Sequence, residues 1–173
     1  MNAEADRFDA YALFSVLERQ FVFYVLIGGL ARVIQGSGEV TNGLDLCPSL
    51  KEDNLGRLAA ALAELDARTA AGKPVVLERD LVGRSALALE TAAGPLTIVP
   101  EPAGTQGYED LRRRARNEPI GQGLRPQVAA VDDLARMLTV LNRDRDRELL
   151  RTMQRVIELR PEIRRGLDRG IDI

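Results

Sequence analysis

Leu13, Phe14, Val16 and Leu17 recur at helical spacing between Asp9 and Arg19 and predict a short amphipathic helix. The run FVFYVLI from Phe21 to Ile27 is aromatic and β-branched and ends in Gly28-Gly29, which predicts a buried strand. Leu30 to Gly36 reads as a short helix closed by glycine. Val40 to Cys47 (VTNGLDLC) reads as a second strand. Strand side chains alternate between faces. Thr41, Gly43, Asp45 and Cys47 therefore share one face, and Val40, Asn42, Leu44 and Leu46 share the other, buried apart from Asn42. Ser49 followed by Glu52 has the form of a capping box and opens a helix running to about Thr69. Leu55, Leu58, Leu62 and Leu65 line its apolar stripe.

Beyond the helix stop at Gly72 and Lys73-Pro74, VVLERDLVG (75–83) reads as a short strand and turn. SALALET (85–91) and PLTIV (95–99) are two strands joined by a tight turn at Ala92-Ala93-Gly94. A loop, PEPAGTQG, leads to a short helix in YEDLRRRARN (108–117). RPQVAAV (125–131) is a further strand candidate. VDDLARMLTVL (131–141) is a helix, with Asp132 as a candidate cap and Asp132 and Asp133 as helix-start charges. RDRELLRTMQRVIEL (145–159) is the last clear helix and buries Leu149, Leu150, Met153, Val156 and Ile157. Pro161 is expected to interrupt it, and the tail RRGLDRGIDI to fray. The order predicts a mixed α/β (α+β) domain: a small mixed sheet flanked by helices, with a helical C-terminal part. Residues 1–20 form the N-terminal helix, 21–130 the core and 131–173 the C-terminal helices, packed together as a single domain.

Composition narrows the chemistry. The chain has 173 residues, 45% apolar and 29% charged, which suits a globular domain with a substantial core. Its longest apolar run is too short for a membrane span. Its opening residues, MNAEADRFDAY, do not read as a secretion signal. One cysteine, Cys47, excludes an internal disulfide framework and fits a reducing cytoplasm. Histidine is absent, which removes histidine-based acid–base catalysis and most zinc sites. Any metal would need oxygen ligands from Asp and Glu. Net charge is −2, but arginines crowd the second half. Arg112, Arg113, Arg114 and Arg116, then Arg143, Arg145, Arg147, Arg151 and Arg155, form local basic stretches that suit phosphate or RNA. Acidic neighbours such as those in RDRDRE equally suit solvated helix faces.

A strand ending in Gly28-Gly29 before a short helix lets backbone approach a ligand closely. The spacing does not match a dinucleotide fingerprint. As a whole, the stretch from Tyr24 to Leu65 resembles the front half of the minimal nucleotidyltransferases. These are small relatives of the DNA polymerase β superfamily, including abortive-infection type E toxins. The family pattern is a Gly-Gly turn, a short helix, a small-residue pair, then a strand of the form T-x-D-h-D-h, with h apolar. Gly28 and Gly29 fill the turn, Gly36 and Ser37 the small pair, and Thr41 and Asp45 match the strand. GPLTIVPEPAGTQGYEDL and VAAVDDLARMLTVLNRDRD resemble the family's later segments. The resemblance implies a nucleotide site at Gly28, Gly29, Gly36, Ser37 and Thr41. In active relatives it also implies two magnesium ions held by three carboxylates, clamping a phosphoryl transfer.

The chain departs from that pattern at the chemical centre. Gly43 stands at the first acid, Thr97 at the third, and Leu138 where many relatives carry a lysine. Asp45 remains as the catalytic and metal-holding remnant. If Ala93-Gly94 were a two-residue turn, Glu90 would stand opposite Thr97 as a possible substitute acid, with Glu39 and Glu101 as further candidates; the favoured reading is that Glu90 is an exposed strand residue. Cys47 shares the Asp45 face and reads as a structural thiol, and Tyr108 as a packing residue. Three functional readings are open. The first is a catalytically impaired domain that still binds nucleotide, RNA phosphate or a partner, with Arg112, Arg113, Arg143 and Arg145 as the phosphate-contacting surface. The second is an active magnesium-dependent, toxin-like enzyme moving a nucleoside monophosphate to RNA or protein. The third is an antitoxin-like interaction partner without ligand. The amphipathic helices suit a protein partner or a homodimer.

Overall fold

A computed structural model describes residues 8–169 of the chain. Helix α1 (Ala10–Arg19) starts where Asp9 accepts a hydrogen bond from the Ala12 amide at 3.0 Å, and it buries the four residues that its periodicity selects. Strand β1 (Tyr24–Ile27) is buried along its whole length. Phe21 and Phe23 lie before it and are exposed. Helix α2 (Gly28–Ile34) begins at the glycine pair itself. Strand β2 (Leu44–Pro48) is shorter than its sequence pattern, and Val40 is fully exposed rather than buried.

Helix α3 (Glu52–Glu64) has no side-chain cap, so the Ser49–Glu52 capping box does not form. Ser49 is buried, and its carbonyl instead accepts from the side chain of Asn54 at 2.7 Å. The helix stops before Thr69 because Asp66 turns left-handed at φ 50°. Arg68 then exchanges backbone hydrogen bonds with Glu90. The stretch 75–83 forms a short helix, α4 (Leu77–Asp80), not a strand. Asp80 accepts from the Val76 amide at 2.8 Å and closes that turn.

Strands β3 (Leu87–Thr91) and β4 (Gly94–Ile98) form the predicted hairpin. Helix α5 (Tyr108–Leu111) is one turn long. Strands β5 (Arg116–Asn117) and β6 (Gln127–Val128) are two residues each, and β5 has no strand pattern in the sequence. Helices α6 (Val131–Leu141) and α7 (Arg147–Arg169) complete the described chain, and α7 runs through Pro161 instead of breaking there. Residues 170–173, the end of the tail expected to fray, lie outside the described residues.

The six strands form one sheet in the order β3-β4-β2-β1-β6-β5. β4 and β2 are parallel, as are β1 and β6, and the other neighbours are antiparallel. The sheet is therefore mixed, as expected of the α+β class. Its core side carries Leu26, Leu44, Leu46, Leu96 and Ile98, all fully buried, with α1 and α3 contributing Leu13, Leu17, Leu58 and Leu62. Among the described residues no helix is long and apolar enough to cross a membrane.

Candidate functional site

Across the middle of the sheet, Ile27, Asp45, Thr97 and Ala88 stand in one row on β1, β2, β4 and β3. Asp45 and Thr97 open onto a cleft of about 640 Å³, within the size range of small-ligand sites. Gly28 forms its edge at φ +73°, where an added Cβ would lie 2.1 Å from Asp45 Oδ2. Only glycine lets the turn and the carboxylate share this space. Leu134, Met137, Leu138 and Leu141 of α6 make an apolar wall. Arg32, Arg143, Ser85 and Glu101 add the polar contacts at the cleft.

Burial raises the Asp45 carboxyl above its ordinary value, while a hydrogen bond from Thr97 and the nearby Arg32 charge oppose that rise. Arg32 itself is held. Glu39 accepts from its Nε at 2.9 Å and its Nη2 at 2.8 Å, and Ser37 Oγ donates to the same carboxylate at 2.8 Å. Both partners of this ion pair are largely shielded, at 15% and 16% side-chain exposure. Sequence reasoning placed neither Arg32 at the cleft nor Glu39 against Ser37. Their seven-residue separation spans a helix end and a loop, and only the folded chain closes it.

The residues expected to bind nucleotide separate into groups. Gly28 borders the cleft. Gly29 faces Glu39 Oε1 and Thr41 Oγ1, each 3.2 Å from an ideal Cβ. Ser37 is buried against Glu39, and Thr41 donates to the Gly43 carbonyl at 3.3 Å. Gly36, at φ +118°, faces Val156 of α7. Thr41 and Gly43 lie ahead of β2, so they do not continue the Asp45 face as strand residues. Gly43 lies against Pro95, with an ideal Cβ 3.3 Å from the Pro95 carbonyl oxygen.

The expected position of Glu90 is corrected by the strand register. Thr91 pairs with Gly94, so the turn is Ala92-Ala93; Glu90 faces Pro95, and Ala88 takes the place opposite Thr97. Thr91 closes this turn, accepting from the Ala93 amide at 3.1 Å and donating to the Gly94 carbonyl at 2.7 Å. Glu90 is exposed and outside the cleft, whereas Glu101 lines it. The arginines do not make one surface either. Arg143 lines the Asp45 cleft and pairs with Asp146. Arg112 pairs with Glu109 and lies over the Tyr108 ring. Arg113 lines a different cleft, and Arg145 is exposed. Burial pushes the Cys47 thiol up to about 12, and its Sγ lies 3.5 Å from the Pro100 carbonyl, which fits the structural role expected of it.

The donor set does not suit a pair of divalent cations. Among the described residues no three of His, Cys, Asp and Glu come together as a metal-holding group. Asp45 has neutral Thr97 as its β4 neighbour and the positive charge of Arg32 nearby.

No protein-family model and no curated protein matches this chain. Solved structures do. The solution structure of the antibiotic-resistance factor ANT(2'')-Ia is similar at a TM-score of 0.58 and 13% identity, covering 91% of this chain and 90% of that one. The lincomycin-bound lincosamide adenylyltransferase LnuA is similar at a TM-score of 0.56 and 14% identity, covering 88% and 98%. An inferred nucleotidyltransferase from Thermotoga maritima is similar at 0.53 and 14%, covering 84% and 89%. The chain has a nucleotidyltransferase fold. Within that fold Gly28 of the β1–α2 turn, Asp45 and Thr97 line one cleft.

Proposed function

We propose that this nucleotidyltransferase-fold protein binds a nucleotide in the Asp45 cleft and is impaired in transferring it. One observation carries the reading: Asp45 faces the cleft beside Thr97, and it is the single carboxylate in the row of Ile27, Asp45, Thr97 and Ala88. A wall of Leu134, Met137, Leu138 and Leu141 suits the flat face of a base. Arg32 and Arg143 suit phosphate oxygens, to which a guanidinium donates paired, charge-assisted hydrogen bonds. Asp45 then orients a polar group of the ligand or holds a proton there. Without a metal pair, stabilisation of the in-line transition state falls by several kcal/mol, and each ~1.4 kcal/mol is about a factor of ten in rate.

Adenylyl transfer by LnuA, and the complex of ANT(2'')-Ia with adenylyl-2''-tobramycin, make ATP the first nucleotide to try. Incubation with labelled ATP, magnesium or manganese, and total RNA or cellular protein should leave both acceptors unlabelled. Labelling that disappears in Asp45→Ala would overturn the impaired reading. It would support the second one: metal-dependent transfer of a nucleoside monophosphate to RNA or protein. Glu101 favours that second reading because it lines the same cleft. Its signature is labelling lost in Glu101→Gln as well as in Asp45→Ala.

A further inference from the structure

A second cleft, of about 320 Å³, lies where the segment after α5, strand β5 and helix α7 converge beside the end of α2. Arg113, Arg114, Arg116 and Arg160 line it, against two carboxylates, Glu118 and Asp132. Arg113, Arg114 and Arg116 come from one short segment and Arg160 from α7, and four guanidinium groups against two lining carboxylates leave the cleft net positive. Two of the four are held in place by the fold. Arg114 pairs with Asp133, which is fully buried and also forms an ion pair with Arg136 at 2.9 Å. Arg160 donates to Gln35 Oε1, and Gln35 Nε2 donates in turn to the Ala129 carbonyl at 2.9 Å. Arg113 and Arg116 are exposed, and among the described residues neither forms a salt bridge. No aromatic ring lines the cleft, so nothing there offers a stacking platform for a base.

We infer that this cleft binds the sugar–phosphate backbone of a nucleic acid, through arginine–phosphate contacts and without base readout. Pre-positioned Arg114 and Arg160 set the register of the strand, and Arg113 and Arg116 close on adjacent phosphates. The site is separate from the Asp45 cleft and does not depend on how that cleft is read.

Fluorescence anisotropy with a labelled single-stranded RNA of about 12 nucleotides tests this, at several salt concentrations. The Arg113→Ala/Arg116→Ala double variant should bind about tenfold more weakly or worse. Its salt slope should be shallower by about 1.4, at roughly 0.7 per lost phosphate contact. Arg84→Ala, which removes an exposed arginine outside both clefts, should bind as the parent does. Three results would overturn the proposal: no binding by the parent chain, equal weakening by Arg84→Ala, or displacement of the RNA by AMP at matched phosphate concentration. The last would make the ligand a mononucleotide. Calorimetry of ATP binding to the double variant reports on the Asp45 cleft independently, so failure of either site is seen separately. Thermal melting of the variants confirms that all are folded.

Discussion

Burial holds the Asp45 carboxyl above the ordinary carboxylate range, and the hydrogen bond from Thr97 and the charge of Arg32 only partly offset it. The folded chain therefore keeps its proton to higher pH than the unfolded chain does. Stability falls as pH rises from the ordinary carboxylate value to the raised one, and above that the full penalty remains. Asp45→Asn is expected to raise the melting temperature at pH 7, with the gain shrinking as pH falls through this window; a gain independent of pH would show that ionisation is not its cause. A residue that destabilises its own fold when charged is typical of a functional position. Glu39 acts in the opposite sense, neutralising Arg32 within a shielded pair. Glu39→Gln is expected to lower the melting temperature by several degrees while strengthening ATP binding, because the guanidinium is released toward the cleft. Unchanged or weaker ATP binding, measured by calorimetry, would show that Arg32 does not meet the phosphates.

Elements with a strong repeating pattern were legible: α1, the β3–β4 hairpin and α6 lie where the pattern puts them, as do the second half of the first predicted strand and Leu58, Leu62 and Leu65 of the α3 stripe. What stayed hidden depended on side chains acting on backbone at a distance. Thr91 closes its turn one residue earlier than the Ala93-Gly94 reading, and that moved Glu90 off Thr97. The Asp80 cap turned a strand-like Val-Val-Leu into a helix start. Two-residue β5 carries no periodicity at all. Asn54 is the fullest case. It is 1% exposed, accepts from the Phe23 amide at 2.7 Å, and donates to the carbonyls of Phe23 at 2.9 Å and Ser49 at 2.7 Å. It thereby ties α3 to the start of β1 and the end of β2, the strand that carries Asp45. Nothing in the periodicity of α3 distinguishes it from a surface polar residue. Asn54→Ala takes the partner from the Phe23 amide and the Ser49 carbonyl, while the Phe23 carbonyl keeps the Ser49 amide, and is expected to cost about 2–4 kcal/mol in chemical denaturation. A loss below about 0.5 kcal/mol would show that water replaces the side chain.

Across the whole molecule, a slightly acidic chain places arginines at two separate clefts. One is the Asp45 cleft, with Arg32 and Arg143; the other is the Arg113, Arg114, Arg116 and Arg160 cleft. The sequence marked Arg113 and Arg143 as phosphate contacts but could not tell that the fold sends them to different clefts. Gly28 and Asp45, singled out by the family resemblance, do meet at one cleft. Arg32 at the cleft was not recognisable, since its role comes from tertiary closure. The fold brings the glycine turn, one aspartate and two guanidinium groups around a cavity whose donor set does not suit two divalent ions, so the nucleotide binding proposed for it is expected not to require magnesium. Calorimetric titration with ATP, once with magnesium and once with EDTA, tests it most directly. The account predicts binding in both, with affinities within about threefold of each other, a difference near RT in free energy. Binding that requires magnesium and vanishes in EDTA would contradict it.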